Sequence, residues 1–229
     1  MNLPDEVPSP AEEGMRRMLG QRASQLDRGE RMIGWKLGFG APAWLERFGL
    51  SGPLVGFLPE SRAHRPGATV SCQGWVRPVA EPEIAVHLGR DLDDPDDVES
   101  AIAGLSAAIE LADVNPPPED LAEVLAANIF HRAVILGDPL DRAGAGVAGM
   151  RARVAKNGVG VADTTDLETL TGEVPSILAH TVALLGTVGE RLQAGEVVIL
   201  GSVVPPIPVR PGDEISFALD PLSPISVRV

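Results

Sequence analysis

Apolar positions recur along this chain with two periods, and the switches between them mark its elements. Met15, Met18, Leu19, Ala23 and Leu26 follow helical spacing. Ser9-Pro10-Ala11-Glu12 ahead of them has the form of a capping box with proline at the first helical position, so a helix is predicted over residues 10–28. "RMIGWKLGFG" reads as a short strand with glycines on the face of Lys36, and "APAWLERFGL" as a helix of one or two turns. "SGPLVGFLPE" and "GATVSCQGWV" suggest short strands and turns, and "RPVAEPEIAVHLGRDL" reads as a longer strand. Pro82 cannot donate a ladder hydrogen bond, which predicts an edge strand or a strand start there.

The second half continues in the same manner. "DLDDPDDVESAIAGLSA" reads as a solvated acidic loop feeding a helix that begins near Pro95; a calcium loop is the competing reading, but the full EF-hand pattern is absent. "AAIELADV" is a buried strand, "NPPPEDLAEVLAANIF" a proline-rich loop and a helix, and "RAVILGDP" a strand ending in a turn. Asn157-Gly158 between alternating segments predicts a two-residue hairpin. "EVPSILAHTVALLGTVG" reads as a buried helix, and strands separated by Pro and Gly turns fill the rest. The pattern is α+β: a single domain over residues 1–229, with residues 1–60 a helical N-terminal part.

Composition narrows the function classes. With 44% hydrophobic residues the chain is globular, and a net charge of -13 argues against a nucleic-acid or other polyphosphate partner. That sign suits a bound cation, and equally a soluble acidic surface. The single cysteine, Cys72, reads as a small buried side chain. "MNLPDEVPSP" lacks a signal-peptide pattern and no apolar run is long enough to span a membrane, so a cytoplasmic protein is expected. Of 19 basic residues only Lys36 and Lys156 are lysine, which marks them as candidates for positions where a proton must be able to leave.

Strand geometry puts Glu81, Glu83, Ala85 and His87 on one face, with Pro82, Ile84, Val86 and Leu88 on the other. Two buried like charges on one face would force one carboxylate to take up a proton, unless a hard divalent cation removes the conflict; an exposed edge with two solvated carboxylates is the alternative. Glu110, flanked by Ile109 and Leu111 in a buried strand, strengthens the metal reading, because a charge there needs a partner or a metal. Asp113 falls on the opposite face, and His87 is too far along the strand to share a site with Glu83.

"GWKLGFG", "EPEIAVHLGRDL", "AIELADV", "ANIFHRAVILGDP", "KNG" and "LQAGEVVILGSVVPPIPVRPGDEI" occur in the order seen in the 2-keto-4-pentenoate hydratase and 4-oxalocrotonate decarboxylase family of the fumarylacetoacetate hydrolase superfamily, which residues 30–229 resemble. The resemblance implies a mixed β-roll, a homo-oligomer and a small 2-oxo acid substrate. It implies Mg²⁺ or Mn²⁺ on Glu81, Glu83 and Glu110, Lys36 as the catalytic lysine, and Gly201, Ser202 and Asn128 at the substrate. The expected activity is hydration of a 2-hydroxy-dienoate, as in meta-cleavage aromatic catabolism. Decarboxylation, C–C hydrolysis, tautomerisation and a non-catalytic binding protein are the alternatives. The chain departs from the family at Leu54, where hydratases carry an aspartate, at Phe130 and His131, which replace serines, and at Val204, which replaces a threonine.

Overall fold

A computed structural model describes residues 9–141 and 144–229. The N-terminal stretch examined for a signal peptide falls almost wholly outside them. Helix α1 (Pro10–Asp27) begins at the expected capping box, with the Ser9 hydroxyl accepting from the Glu12 N–H and the Glu12 carboxylate accepting from the Ser9 N–H. Then come β1 (Met32–Gly38), α2 (Pro42–Phe48), β2 (Leu54–Pro59), β3 (Ala63–His64), β4 (Ala68–Thr69), β5 (Pro78–Leu88), α3 (Val98–Ala101), β6 (Ile102–Asp113) and α4 (Leu121–Ala126). The remainder is β7 (His131–Leu136), β8 (Leu140–Asp141), β9 (Arg151–Lys156), β10 (Val159–Thr164), α5 (Val174–Thr187), β11 (Val197–Ser202), β12 (Ile207–Pro208), β13 (Glu214–Asp220) and β14 (Ile225–Arg228). Among the described residues no helix is long and apolar enough to cross a membrane.

The main sheet runs β2-β1-β11-β5-β6-β7-β3, with β12 and β8 alongside β5 and β6. Its two outermost strands, β2 and β3, are separated by only the turn Glu60–Arg62. A link of three residues spans at most about 11 Å, so the sheet must curl until its ends meet, giving the expected mixed β-roll. The convex face carries Trp35, Leu37, Ile84, Val86, Ile109 and Leu111 into the main core. The enclosed face is lined by Leu58, Ala85, Ala108, Val134, Val197 and Ile199, and the short Ala85 and Ala108 suit a narrow interior. A second sheet, β10-β9-β13-β14-β4, contains the Asn157-Gly158 hairpin, whose residues have φ of 53° and 77°.

Four expectations need correction. Residues 1–60 are not a separate helical part, since the strands expected within them, β1 and β2, belong to the main sheet. β6 starts at Ile102, and the helix expected from Pro95 shrinks to a 3₁₀ turn and the four residues of α3. β5 extends to Leu88 and gives Ile102–Ser106 a partner, and that pairing overrides the alanine-rich local sequence. α5 is buried along one face only, through Val174, Ile177, Leu178, Thr181, Val182 and Leu185.

Pro82 is neither at an edge nor at a strand start: β5 pairs with β6 on one side and with β11 and β12 on the other. The Pro82 carbonyl accepts from Val203, in the segment where β11 has ended and β12 has not begun. In a strand, N–H and C=O of one residue point the same way, so the missing N–H faces that break in the ladder. Pro82→Ala is therefore expected to change stability by less than about 1 kcal/mol, measured by denaturant unfolding, where a centrally paired position would show a gain of a ladder bond.

Candidate metal centre

The three glutamates meet inside the roll. Glu81 and Glu110 are direct cross-strand partners on β5 and β6, and Glu83 lies one strand repeat along the same face. One carboxylate oxygen from each can be chosen so that all lie within 4.8 Å of one another. Glu83 and Glu110 are fully buried, and Glu81 is half-buried at the rim. At such spacing each like-charged pair repels by about 3–4 kcal/mol at an effective dielectric of about 20.

Lys36 reaches the same place from β1. It is 1% exposed, and its Nζ donates to Glu110 Oε1 at 2.6 Å and to the Ile129 carbonyl at 3.2 Å. Gly56 lies beside Lys36 in register, and a Cβ there would come within 2.6 Å of Asn128 Oδ1 and 3.1 Å of Lys36 Cγ. Glycine thus leaves the passage that Lys36 occupies. Burial alone would discharge Lys36, but Glu110, Glu81 and Glu83 outweigh it and raise its pKa above the ordinary lysine value. The ammonium form is the resident one in the metal-free protein.

The fifth member, His131, is one the sequence alone does not place. Its Nδ1 lies 2.8 Å from Glu110 Oε1. Burial pushes the Glu110 carboxyl up, yet Lys36 and His131 together hold it below its usual value. Burial lowers the His131 pKa despite Glu110, so the ring is neutral. An ionised carboxylate can only accept, so Nδ1 carries the proton and Nε2, buried and without a partner, is bare. The preceding turn makes this possible: Asn128, Ile129 and Phe130 all have left-handed φ, at 51°, 51° and 62°. Such residues cost about 1–2 kcal/mol each. The turn is held by the Asn128 amide, which accepts from the Phe57 N–H at 2.8 Å and donates to its carbonyl at 2.9 Å.

The two buried carboxylates are gripped in the same fashion. Glu83 Oε2 accepts the Gly201 N–H at 2.8 Å, and Oε1 has no partner. Glu110 Oε1 takes both Lys36 and His131, and Oε2 has no partner. Buried carboxylate oxygens left bare are costly, and an all-oxygen donor set suits a hard divalent cation. Without one, burial and the repulsion of Glu110 lift Glu81 to about 7, and burial with both neighbours lifts Glu83 well above its ordinary value. The residues therefore fit a divalent metal.

The cluster opens at Glu81 onto a cavity of about 250 Å³ whose lining includes Gly201 and Ser202. The Gly201 N–H is committed to Glu83, and the Ser202 hydroxyl donates to the Val204 carbonyl at 2.6 Å. Asn128 does not line this cavity; the structure places it at the Phe57 backbone, away from the expected substrate position. Lys156, the other rare lysine, pairs with Asp213 at 2.8 Å and bonds the Pro208 carbonyl, tying the hairpin to β13. Asp113 caps the loop before β5 by accepting from Val76 and Arg77. Leu54 opens β2 and lines a separate apolar cavity with His180.

Residues 45–229 match the family model described as fumarylacetoacetate (FAA) hydrolase C-terminal, and the chain belongs to that family. It is 29% identical to a 2-hydroxyhexa-2,4-dienoate hydratase of Comamonas testosteroni over 211 residues, 87% of this chain and 79% of that protein. It is 27% identical to a 4-oxalocrotonate decarboxylase of Pseudomonas putida over 220 residues, 90% of this chain and 81% of that one. Among solved structures, the 4-oxalocrotonate decarboxylase of Pseudomonas putida G7 complexed with magnesium and adipate superposes with a TM-score of 0.85 at 25% identity, over 96% of this chain and 86% of that one.

Two predictions follow from the geometry. Glu81 in the folded, metal-free protein keeps its proton until about pH 7, against 4.5 for the free side chain. Ionising it costs stability as pH rises through that window, and a bound cation removes the cost. The Mg²⁺-induced rise in Tm is therefore expected to be larger at about pH 8 than at about pH 5.5, and to vanish in Glu83→Gln at both; a rise independent of pH and of Glu83 contradicts the site. His131→Leu should weaken Mg²⁺ by about 10–100-fold in calorimetric titration, the usual effect of losing a group that orients a ligand, while His131→Asn, which can restore the N–H donor, recovers most of it.

Proposed function

We propose that this protein is a divalent-metal-dependent hydratase acting on a small 2-oxo acid in its 2-hydroxy-dienoate form, with Mg²⁺ on Glu81, Glu83 and Glu110. The observation that carries this reading is the buried carboxylate cluster with two bare oxygens and a charged lysine, opening onto a small cavity. The similarity to named dienoate hydratases supports it. A cation held there would supply Lewis-acid polarisation of the 2-oxo carboxylate.

The chain's own residues then have separate tasks. Glu83 and Glu110 are fixed by Gly201, Lys36 and His131, so their free oxygens need no rearrangement to bind. Lys36 is the acid: its Nζ holds a proton against Glu110 at 2.6 Å, in a site closed to bulk water. Ser202 and Gly201 border the substrate at the rim. Hydration of the conjugated alkene needs one hydroxyl and one proton delivered to carbon, and Lys36 is the group positioned to store that proton. A homo-oligomer, expected from the resemblance, belongs to the same proposal.

The test uses 2-hydroxypenta-2,4-dienoate with Mg²⁺. Loss of its ultraviolet absorbance without release of CO₂ is expected. Lys36→Met should lower turnover by at least about 100-fold, yet keep or tighten Mg²⁺ binding, because a positive charge leaves the cluster. CO₂ release from a dicarboxylic substrate would make decarboxylation the reaction, and metal binding with no turnover of either would leave a binding protein.

A further inference from the structure

We infer that the substrate's tail, beyond its 2-oxo carboxylate, is short, apolar and uncharged, and that the site discriminates against a second carboxylate. This rests on the 2-oxo-acid reading above and specifies the substrate class within it.

The cavity at Glu81 is walled by Leu37, Phe39, Trp44, Leu170, Leu200 and Val204, with Pro205 and Pro206 at its edge. Phe39 and Trp44 meet edge to face at 5.0 Å, and Trp44 stacks on Phe48 at 5.8 Å, which makes that wall rigid and aromatic. Among the described residues lining the cavity there is no arginine, lysine or histidine. The hydroxyl donors there are already used: Ser202 bonds the Val204 carbonyl, and Thr171 bonds the carbonyls of Leu167 and Gly172. Arg47 is exposed, stacks over Trp44 and Phe48, and does not line the cavity.

A second carboxylate placed here would lose its water and find no cation and no free hydroxyl to replace it, with the Trp44 indole N–H the one side-chain donor left on the wall. It would also meet Glu81, the one charged group at the rim. An alkyl or alkenyl tail gains from the same walls. The volume of about 250 Å³ must also hold the 2-oxo carboxylate head, and it lies below the roughly 300–1,000 Å³ of sites for drug-sized ligands, which suits a short tail.

The experiment is calorimetric binding to the Mg²⁺-loaded protein of three unreactive 2-oxo acids: pyruvate, which has the head group alone, 2-oxohexanoate, and 2-oxoadipate, which is 2-oxohexanoate ending in a second carboxylate. The expected order places 2-oxohexanoate at least tenfold tighter than both others. Trp44→Ala should bring 2-oxohexanoate down towards pyruvate. Val204→Arg, which puts a cation in the wall, should improve 2-oxoadipate at least tenfold; if it fails to fold, Trp44→Ala and the wild-type order decide alone. Binding of 2-oxoadipate as tight as or tighter than 2-oxohexanoate overturns the inference and leaves the 2-oxo-acid reading standing. Failure of all three to bind overturns both.

Discussion

Three carboxylates and one ammonium share the closed interior of a roll, and this imbalance of charge is the constraint on which the rest of the site depends. With every group ionised the cluster of Glu81, Glu83, Glu110 and Lys36 carries two surplus negative charges. In a dry interior that surplus can be relieved by protons or by a divalent cation, and among the described residues nothing else in hydrogen-bond contact with the cluster brings positive charge. Burying such groups is not a way to gain stability, since the desolvation of each ion offsets much of its attraction to a partner. The fold bears that cost at one place, where the two strands β5 and β6 bring their glutamates face to face.

The architecture around the cluster follows from keeping it rigid while leaving it incomplete. The roll narrows to alanines at 85 and 108, so the long side chains of Lys36, Glu83 and Glu110 fill its interior. Backbone and side-chain donors fix one oxygen of each buried glutamate and leave the other bare. The same surplus of negative charge that raises Lys36 is what a cation would cancel, which would leave burial as the main influence on the lysine and favour its neutral form. Metal binding and acid strength are thus linked through a single electrostatic balance.

Much of this was legible in the chain. Period-two alternation alone puts Glu81 and Glu83 on one face, and a glutamate between Ile109 and Leu111 signals a buried charge in need of a partner. The scarcity of lysine pointed to Lys36, although it pointed equally to Lys156, which serves a salt bridge instead. Pro82 misleads because a proline reports a missing donor and not where the partner strand breaks. His131 was hidden for a different reason. It reaches Glu110 only because three successive residues, one of them the β-branched Ile129, adopt left-handed backbone that local propensity disfavours. Asn128 is expected at the substrate only from the family resemblance, whereas its amide is the clamp on that turn. The signal that could have raised His131 was its place one residue after a buried aromatic, in the segment that follows Asn128.

The departures from the family pattern now fall into separate places. Leu54 stands at the mouth of an apolar cavity with His180, whereas Val204 lines the cavity at Glu81. Only Val204 bears on the cluster, and the less polar wall it makes strengthens every interaction between the charges behind it. His131 contributes differently, with a ring that grips Glu110 and keeps one nitrogen bare. Proton movement at this site therefore has few routes among the described residues: Lys36, His131 and the glutamates themselves. The polar groups that hold Glu110, Lys36 and His131, stand apart from the cavity wall, so they act on the cluster through Glu110 and leave the wall itself apolar.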